Sequence, residues 1–238
     1  MSSNPRNVVF DSKNLDQYLY KVAKEYKKLS EKGATAEIIL VGGAAILASF
    51  SFREMTRDVD AIIRAGSAIK DAINRVGDSC DLPNGWLNDD FILSESYSDT
   101  LIEHSKFYKC FAHTINVRIV SDEYLLAMKL RAGRRYKNDL SDIVGILKSH
   151  IDKGAPLLLE DVEKTFIDLY EDLSLMSAKG KSVLHSVYQK DADLNDLYKR
   201  IRNTEVAVRD KVIIEANKKA SALNKVSFKE LVNIISDQ

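Results

Sequence analysis

The stretch that decides the fold is residues 41–63, VGGAAILASFSFREMTRDVDAII. It follows Ala36-Glu37-Ile38-Ile39-Leu40, a β-prone run that leads through Val41 into Gly42-Gly43. A short apolar helix is expected from Ala44 to about Phe50, then a second strand over 58–63. Along a strand, residues i and i+2 face the same way about 6–7 Å apart, so Asp58 and Asp60 aim together. Two carboxylates at that separation suit a divalent cation, Mg²⁺ (or Mn²⁺), which takes oxygen ligands and leaves positions for substrate phosphates. Gly42 and Gly43 let the backbone approach a phosphate closely, and the helix N-terminus that follows presents free N–H groups. Asp-x-Asp alone is most often a polar strand face, and Gly-Gly alone a turn. Their order carries the reading, because Asp is disfavoured in strands and two of them here flank a valine at the start of an apolar run.

Upstream, Leu15, Leu19, Val22, Tyr26 and Leu29 recur at helical spacing over residues 12–31. Downstream, Ser67 opens a helix to about Val76, and residues 81–90 form a loop. Residues 99–110 and 114–120 read as a strand pair, with Ile115, Val117 and Ile119 alternating in the second. Ser121 caps a helix to about Gly133, and another runs from Asn138 to His150. All three prolines and nine of the ten glycines lie before residue 160, so the last third reads as nearly all helix. Helices are expected near 160–176, 180–188, 191–221 and 227–236, the last with Ser227 and Glu230 as a capping box. The expected fold class is α/β (α+β): a small mixed sheet flanked by helices over residues 1–153, and a helical C-terminal region over 154–238.

At 238 residues and 45% apolar side chains, the chain is long and apolar enough for a globular core. Thirty-five Lys and Arg balance 35 Asp and Glu, which argues against coating nucleic acid by bulk charge while leaving room for a local basic patch. No apolar run approaches the roughly 18–20 residues of a membrane span, and Met1 to Phe10 has no signal-peptide core. Cys80 and Cys110 are the only cysteines, with no Cys-x-x-Cys pair. No disulfide framework or cysteine zinc site is expected, and the cytoplasm is the expected location. The four histidines lack zinc-site spacing, and no Walker A, Gly-x-Gly-x-x-Gly or Gly-x-Ser-x-Gly sequence occurs.

Val41-Gly42-Gly43 and Asp58-Val59-Asp60 resemble the signature of the nucleotidyltransferase superfamily with the DNA polymerase β-like fold. The intervening Arg53-Glu54-Met55-Thr56-Arg57 is similar to the Arg-x-Thr-x-Asp-hydrophobic-Asp form of the AbiEii/AbiGii toxin-like branch and related bacterial proteins. A second block, Leu125 to Ala132 followed by Arg135, Asp139 and Asp142, resembles that branch's Lys-x-x-Ala, Arg and Arg-Asp-x-x-Asp helix pair, with Asn138 where the last arginine is usual. Trp86-Leu87-Asn88 is similar too. The likeness covers roughly residues 36–150. It implies transfer of a nucleoside monophosphate from an NTP to an acceptor (tRNA or a protein hydroxyl), and a toxin role beside a cognate antitoxin or in phage defence. By the same likeness, Asp58 and Asp60 hold the metal and Gly42, Gly43, Arg57, Lys129 and Arg135 hold the nucleotide. Asp142, or Asp139, assists the acceptor.

Many members of that superfamily place a third carboxylate on a later strand. The candidate strand here, 114–120, offers only Asn116 and Arg118, with Glu103 a substitute upstream. Asn116 is able to offer a metal a carbonyl oxygen but is no base. A second reading therefore stands beside the first: a catalytically weak nucleotide- or RNA-binding or interaction module on the same fold. A drug-modifying transferase would need an acidic pocket, and the basic run Lys129, Arg131, Arg134, Arg135 and Lys137 argues against that. On a helix Arg131, Arg134 and Arg135 share one face, ready for a triphosphate or an RNA backbone, or simply solvated near a helix C-terminus. Lys129 lies with its stem against the apolar side and its ammonium able to reach into a cleft. Trp86 reads as packing at the cleft rim, with stacking on a base the alternative.

Overall fold

The computed structural model describes residues 8–223; the expected helix at 227–236 lies outside them. Five strands form one mixed sheet in the order β3-β2-β1-β5-β4. The strands are β1 (Ala36–Leu40), β2 (Val59–Arg64), β3 (Leu87–Asn88), β4 (Ser105–Phe111) and β5 (Ile115–Val120). At its centre β1 pairs antiparallel with β2 and parallel with β5. Ala36, Ile38, Leu40, Val59, Ala61, Ile115, Val117 and Ile119 share one face of the pleat and are buried. The other face carries Glu37, Arg64 and Asn116 in register at one end and Asp60 at the opposite end.

Helix α1 (Asn14–Leu29) buries Leu15, Leu19, Val22, Ala23 and Tyr26, the helical repeat seen in the sequence. It packs on α3 (Ala68–Ser79), whose Ile69, Ala72, Ile73 and Val76 form the matching stripe. Ser67 makes no side-chain cap there. Trp86 is in the core: it stacks on Phe10 at 5.6 Å and donates its indole N–H to the Ile73 carbonyl at 3.3 Å. Its burial removes it from any base-stacking role.

Residues 99–104 do not begin a strand. Asp99–Ile102 is a 3₁₀ turn, because the Ser98 hydroxyl accepts the Thr100 N–H, and β4 starts at Ser105. β4 is an edge strand with exposed Lys106 and Lys109 and a register shift between Phe107 and Lys109, features that discourage pairing with another chain.

The rest is helical: α4 (Asp122–Ala132), α5 (Asp139–Asp152), α6 (Leu159–Tyr170), α7 (Ala178–Val187) and α8 (Leu194–Leu223). Ser121 does not cap α4; its hydroxyl donates to the His104 carbonyl at 2.8 Å. Gly133 ends α4 in the left-handed region at φ 51°. Helix α6 stops six residues before the expected 176, where Glu171 turns left-handed and Asp172 caps the following turn. Helices α7 and α8 both pack on α5. Buried contacts therefore cross residue 153 between the sheet-bearing and helical parts. Among the described residues, no helix is long and apolar enough to cross a membrane.

Candidate active site

The site lies where β1 runs into α2 (Gly42–Ser49). The helix begins at Gly42, two residues earlier than the sequence suggests, so both glycines form its first turn. Gly42 has φ +54°, a conformation glycine adopts without strain. A Cβ on Gly42 would lie 3.4 Å from Asp60 Oδ2. A Cβ on Gly43 would lie 2.6 Å from Thr56 Oγ1 and 2.7 Å from Arg53 Nη2. The Gly-Gly pair thus allows the helix start to meet the acidic strand and the loop before it.

That loop is held firmly. Thr56 is buried and exchanges two backbone hydrogen bonds with Phe10, at 2.7 and 2.8 Å. Val41 N–H donates to the Asp60 carbonyl at 3.1 Å, and Val59 N–H to that of Trp86 at 2.8 Å. Asp58 sits in the bend just ahead of β2, and Asp60 within the strand. Burial, then the charge of Asp58, pushes the Asp60 carboxyl above its ordinary range; Lys137, Lys129 and Arg134 oppose the shift.

Behind the acids is a buried ion cluster. Lys129 Nζ lies 2.8 Å from Asp139 and 2.9 Å from Asp142. Arg53 donates to both oxygens of Asp142, at 2.9 and 2.6 Å, and Arg134 Nε to Asp139 at 2.7 Å. Burial opposes the charge on Lys129, yet the two carboxylates outweigh it and hold its pKa above the usual value. Burial likewise opposes ionisation of Asp139, but Lys129 and Arg134 hold it well below the carboxylate range. Lys129 lines the cleft, and its ammonium is claimed by two carboxylates.

A cavity of about 570 Å³ is lined by Gly42, Gly43, Asp58, Asp60 and Lys129, among others, a volume typical of small-molecule sites. Arg57, Arg134 and Asp139 also line it; Arg131, Arg135, Asn116 and Asp142 do not. The shared arginine face does not form, because Gly133 ends α4 before Arg134 and Arg135. Arg131 instead lies over the Tyr170 ring and donates to the Leu175 carbonyl at 2.5 Å. Arg135 is exposed outside the cavity. Asn116 pairs with Glu37, and Glu37 with Arg64, four residues along β2 from Asp60. That is about 13 Å at strand rise, so Asn116 sits at the wrong end of the sheet to share a metal with Asp60. Extended by one residue, the pairing brings Val41 level with both Asp60 and Val120, and Val120 is fully buried and apolar. Glu103 is exposed beyond the 3₁₀ turn and does not line the cavity.

The last wall comes from α8, through Arg202, Arg209, Val212 and Ile213. Asn138 accepts hydrogen bonds from Arg202 and, at 3.4 Å, from Arg209. Glu205 caps α5: it accepts from the N–H groups of Leu140 at 2.9 Å and Ser141 at 3.2 Å. Burial raises the Glu205 pKa to about 7. Sequence reading missed these residues. A lone glutamate and two arginines in a charged helix carry no local signal.

A family model described as "Nucleotidyltransferase of unknown function (DUF6036)" matches residues 17–174. The chain belongs to this family. The match to this nucleotidyltransferase family includes the glycine pair, both acids and the ion cluster, and it stops before α7 and α8. No curated protein and no solved structure matches the chain.

A metal fits the donor set in one respect. Asp58 and Asp60 repel one another in a partly buried setting, which a cation relieves. Among the described residues, no group of three or more His, Cys, Asp or Glu gathers into a cage. Two carboxylates suit Mg²⁺ or Mn²⁺ that retains waters and substrate oxygens rather than a closed site.

Proposed function

We propose that this member of the nucleotidyltransferase family moves a nucleoside monophosphate from an NTP to a hydroxyl of RNA, such as tRNA, or of a protein, releasing pyrophosphate. The observation that carries this reading is the approach of Gly42 to Asp60 within one cavity. Asp58 and Asp60 would hold Mg²⁺ or Mn²⁺, which when bound supplies charge neutralisation to the phosphates. The first turn of α2, whose Gly42 and Gly43 line the cavity, would offer its backbone N–H groups to the phosphates. Lys137 and Arg134, whose charges reach Asp60, add positive potential where negative charge develops. Lys129 and Asp142 act in this reading as anchors. Through Arg53 they tie the loop before Asp58 to α4 and α5. The AbiEii/AbiGii likeness of residues 53–60 and 125–142 supports a toxin role with a cognate antitoxin.

The experiment is transfer of α-labelled phosphate from each of the four NTPs, with Mg²⁺, total bacterial RNA and protein extract, beside an Asp58→Ala, Asp60→Ala control. Label in RNA or protein only with the intact pair supports the reading and identifies donor and acceptor. Induced expression that slows growth only with the intact pair supports the toxin role.

One observation favours a second reading, a nucleotide-binding module without turnover. The position of β5 level with Asp60 is Val120, and no third carboxylate stands there. NTP binding by calorimetry without pyrophosphate release would select it.

A further inference from the structure

Besides Arg53 and Arg134, which are paired with Asp142 and Asp139, the same cavity gathers three guanidinium groups from distant parts of the chain. Arg57 comes from the loop before β2, and Arg202 and Arg209 from α8. Among the described residues, Arg57 makes no hydrogen bond and no ion pair. Arg202 and Arg209 each donate to the neutral Asn138 Oδ1, an oxygen that orients them and cancels no charge. Arg209 Nε is buried with no partner.

The three charges disfavour one another. Burial, then Arg202 and then Arg57, lowers the pKa of Arg209, with Asp210 and Glu205 opposing. Asp210 is exposed, and Glu205 already accepts two backbone N–H groups and the Ser141 hydroxyl. Arg202 and Arg209 hold only a neutral oxygen, Arg209 keeps a buried Nε donor, and the exposed Arg57 adds a third charge, a donor set suited to an anion that enters the cavity. The guanidinium fork fits phosphate oxygens in pairs and stays charged at any working pH.

We propose that Arg57, Arg202 and Arg209 form a second phosphate-binding site in this cavity, between the loop before β2 and α8, in addition to the α2 N-terminus. Its ligand is a phosphate group, carried either on the NTP or on a nucleic-acid acceptor. The proposal rests on the nucleotide reading of the cavity for the source of the phosphate, and on the arginine geometry alone for the binding.

The test uses the full chain in EDTA, so that no metal contributes. Calorimetry at fixed ionic strength measures binding of inorganic tripolyphosphate, of each NTP, and of a short oligoribonucleotide with and without a 5′-phosphate. Arg202→Gln with Arg209→Gln is expected to weaken phosphate binding by about tenfold or more, the scale of charged hydrogen bonds. Those two residues also hold α8 through Asn138, so Arg57→Gln is the second variant. It removes a charge without touching that contact and is expected to weaken the same ligands about threefold or more. Lys211→Gln makes the same charge change on α8 outside the cavity lining and is expected to leave binding unchanged.

Loss confined to tripolyphosphate and NTP supports the site and assigns it to the donor. Loss confined to the oligonucleotide supports it and assigns it to the acceptor. No binding by the wild type, or equal binding by wild type, Arg57→Gln and the double variant, overturns the proposal. Arginine-dependent binding that persists in Asp58→Ala, Asp60→Ala while no label is ever transferred keeps this site and sinks the enzymatic reading. The two failures are thereby distinguished.

Discussion

Glu205 and Ser141 stand 64 residues apart in sequence, yet the Ser141 hydroxyl donates to Glu205 Oε2 at 2.5 Å. With the Leu140 and Ser141 N–H groups on its other oxygen, this carboxyl supplies from α8 the cap that α5 lacks locally. Glu205→Ala leaves those buried donors unmet and is expected to cost about 1–3 kcal/mol. Urea unfolding would measure it.

The same carboxyl makes stability depend on pH. Its folded pKa, about 7, is above its ordinary 4.5. Between those values the folded state binds the proton more tightly, so this contribution is full below about 4.5 and is lost as pH rises through about 7. Compared with Glu205→Gln, the wild type should lose up to about 3 kcal/mol between pH 4.5 and 8. Parallel stability curves for the two proteins across that range would sink the assignment.

Lys129 gives a sharp choice between anchor and phosphate ligand. Lys129→Ala removes the cation shared by Asp139 and Asp142, and breaking a buried pair costs about 3–5 kcal/mol. The expected outcome is a large drop in Tm together with weakened NTP binding. Unchanged Tm with weakened binding would return Lys129 to direct phosphate contact.

Asp58→Asn removes the charge that disfavours ionised Asp60. The folded protein should be as stable as the wild type, or slightly more so, with transfer abolished. Millimolar Mg²⁺ should raise the Tm of the wild type and not of the variant, since only a state that binds the ion gains from it. Equal Mg²⁺ shifts would show that the acid pair is not the metal site.

Gly43→Ala places a methyl 2.6 Å from Thr56 Oγ1 and 2.7 Å from Arg53 Nη2. The buried Thr56 is pinned to Phe10 and yields little, so overpacking of about 1–3 kcal/mol is expected. Asn116→Ala, exposed at the far end of the sheet, should change stability by no more than about 0.5 kcal/mol and leave Mg²⁺ and NTP binding intact. Calorimetry on both variants checks the contrast.

The strand-glycine-helix-acid order was legible because its parts are close in sequence and their periodicities are local. The helix repeat of α1 and the alternation of β5 were legible for the same reason. The errors have other physical sources. Arg131, Arg134 and Arg135 share a face only if the helix continues, and Gly133 ends it. Asn116 has the right strand and face, but only register shows that it lies opposite Glu37. The sequence pattern singles out Lys129 and Asp142, while their direct ion pair and the bond of Asp142 to Arg53 need the fold. Arg202, Glu205 and Arg209 act wholly through long-range contacts, which no local pattern encodes.

The α8 wall has a consequence for synthesis. A nascent chain that ends at α7 already holds the glycines, the acid pair and the ion cluster, but its α5 is uncapped and its cleft open to water. Only when residues 202–213 leave the ribosome do the cap and the two arginines of the α8 wall arrive together, to join Arg57. The order of translation thus completes this cavity only after the sheet and the ion cluster that form its floor have been made.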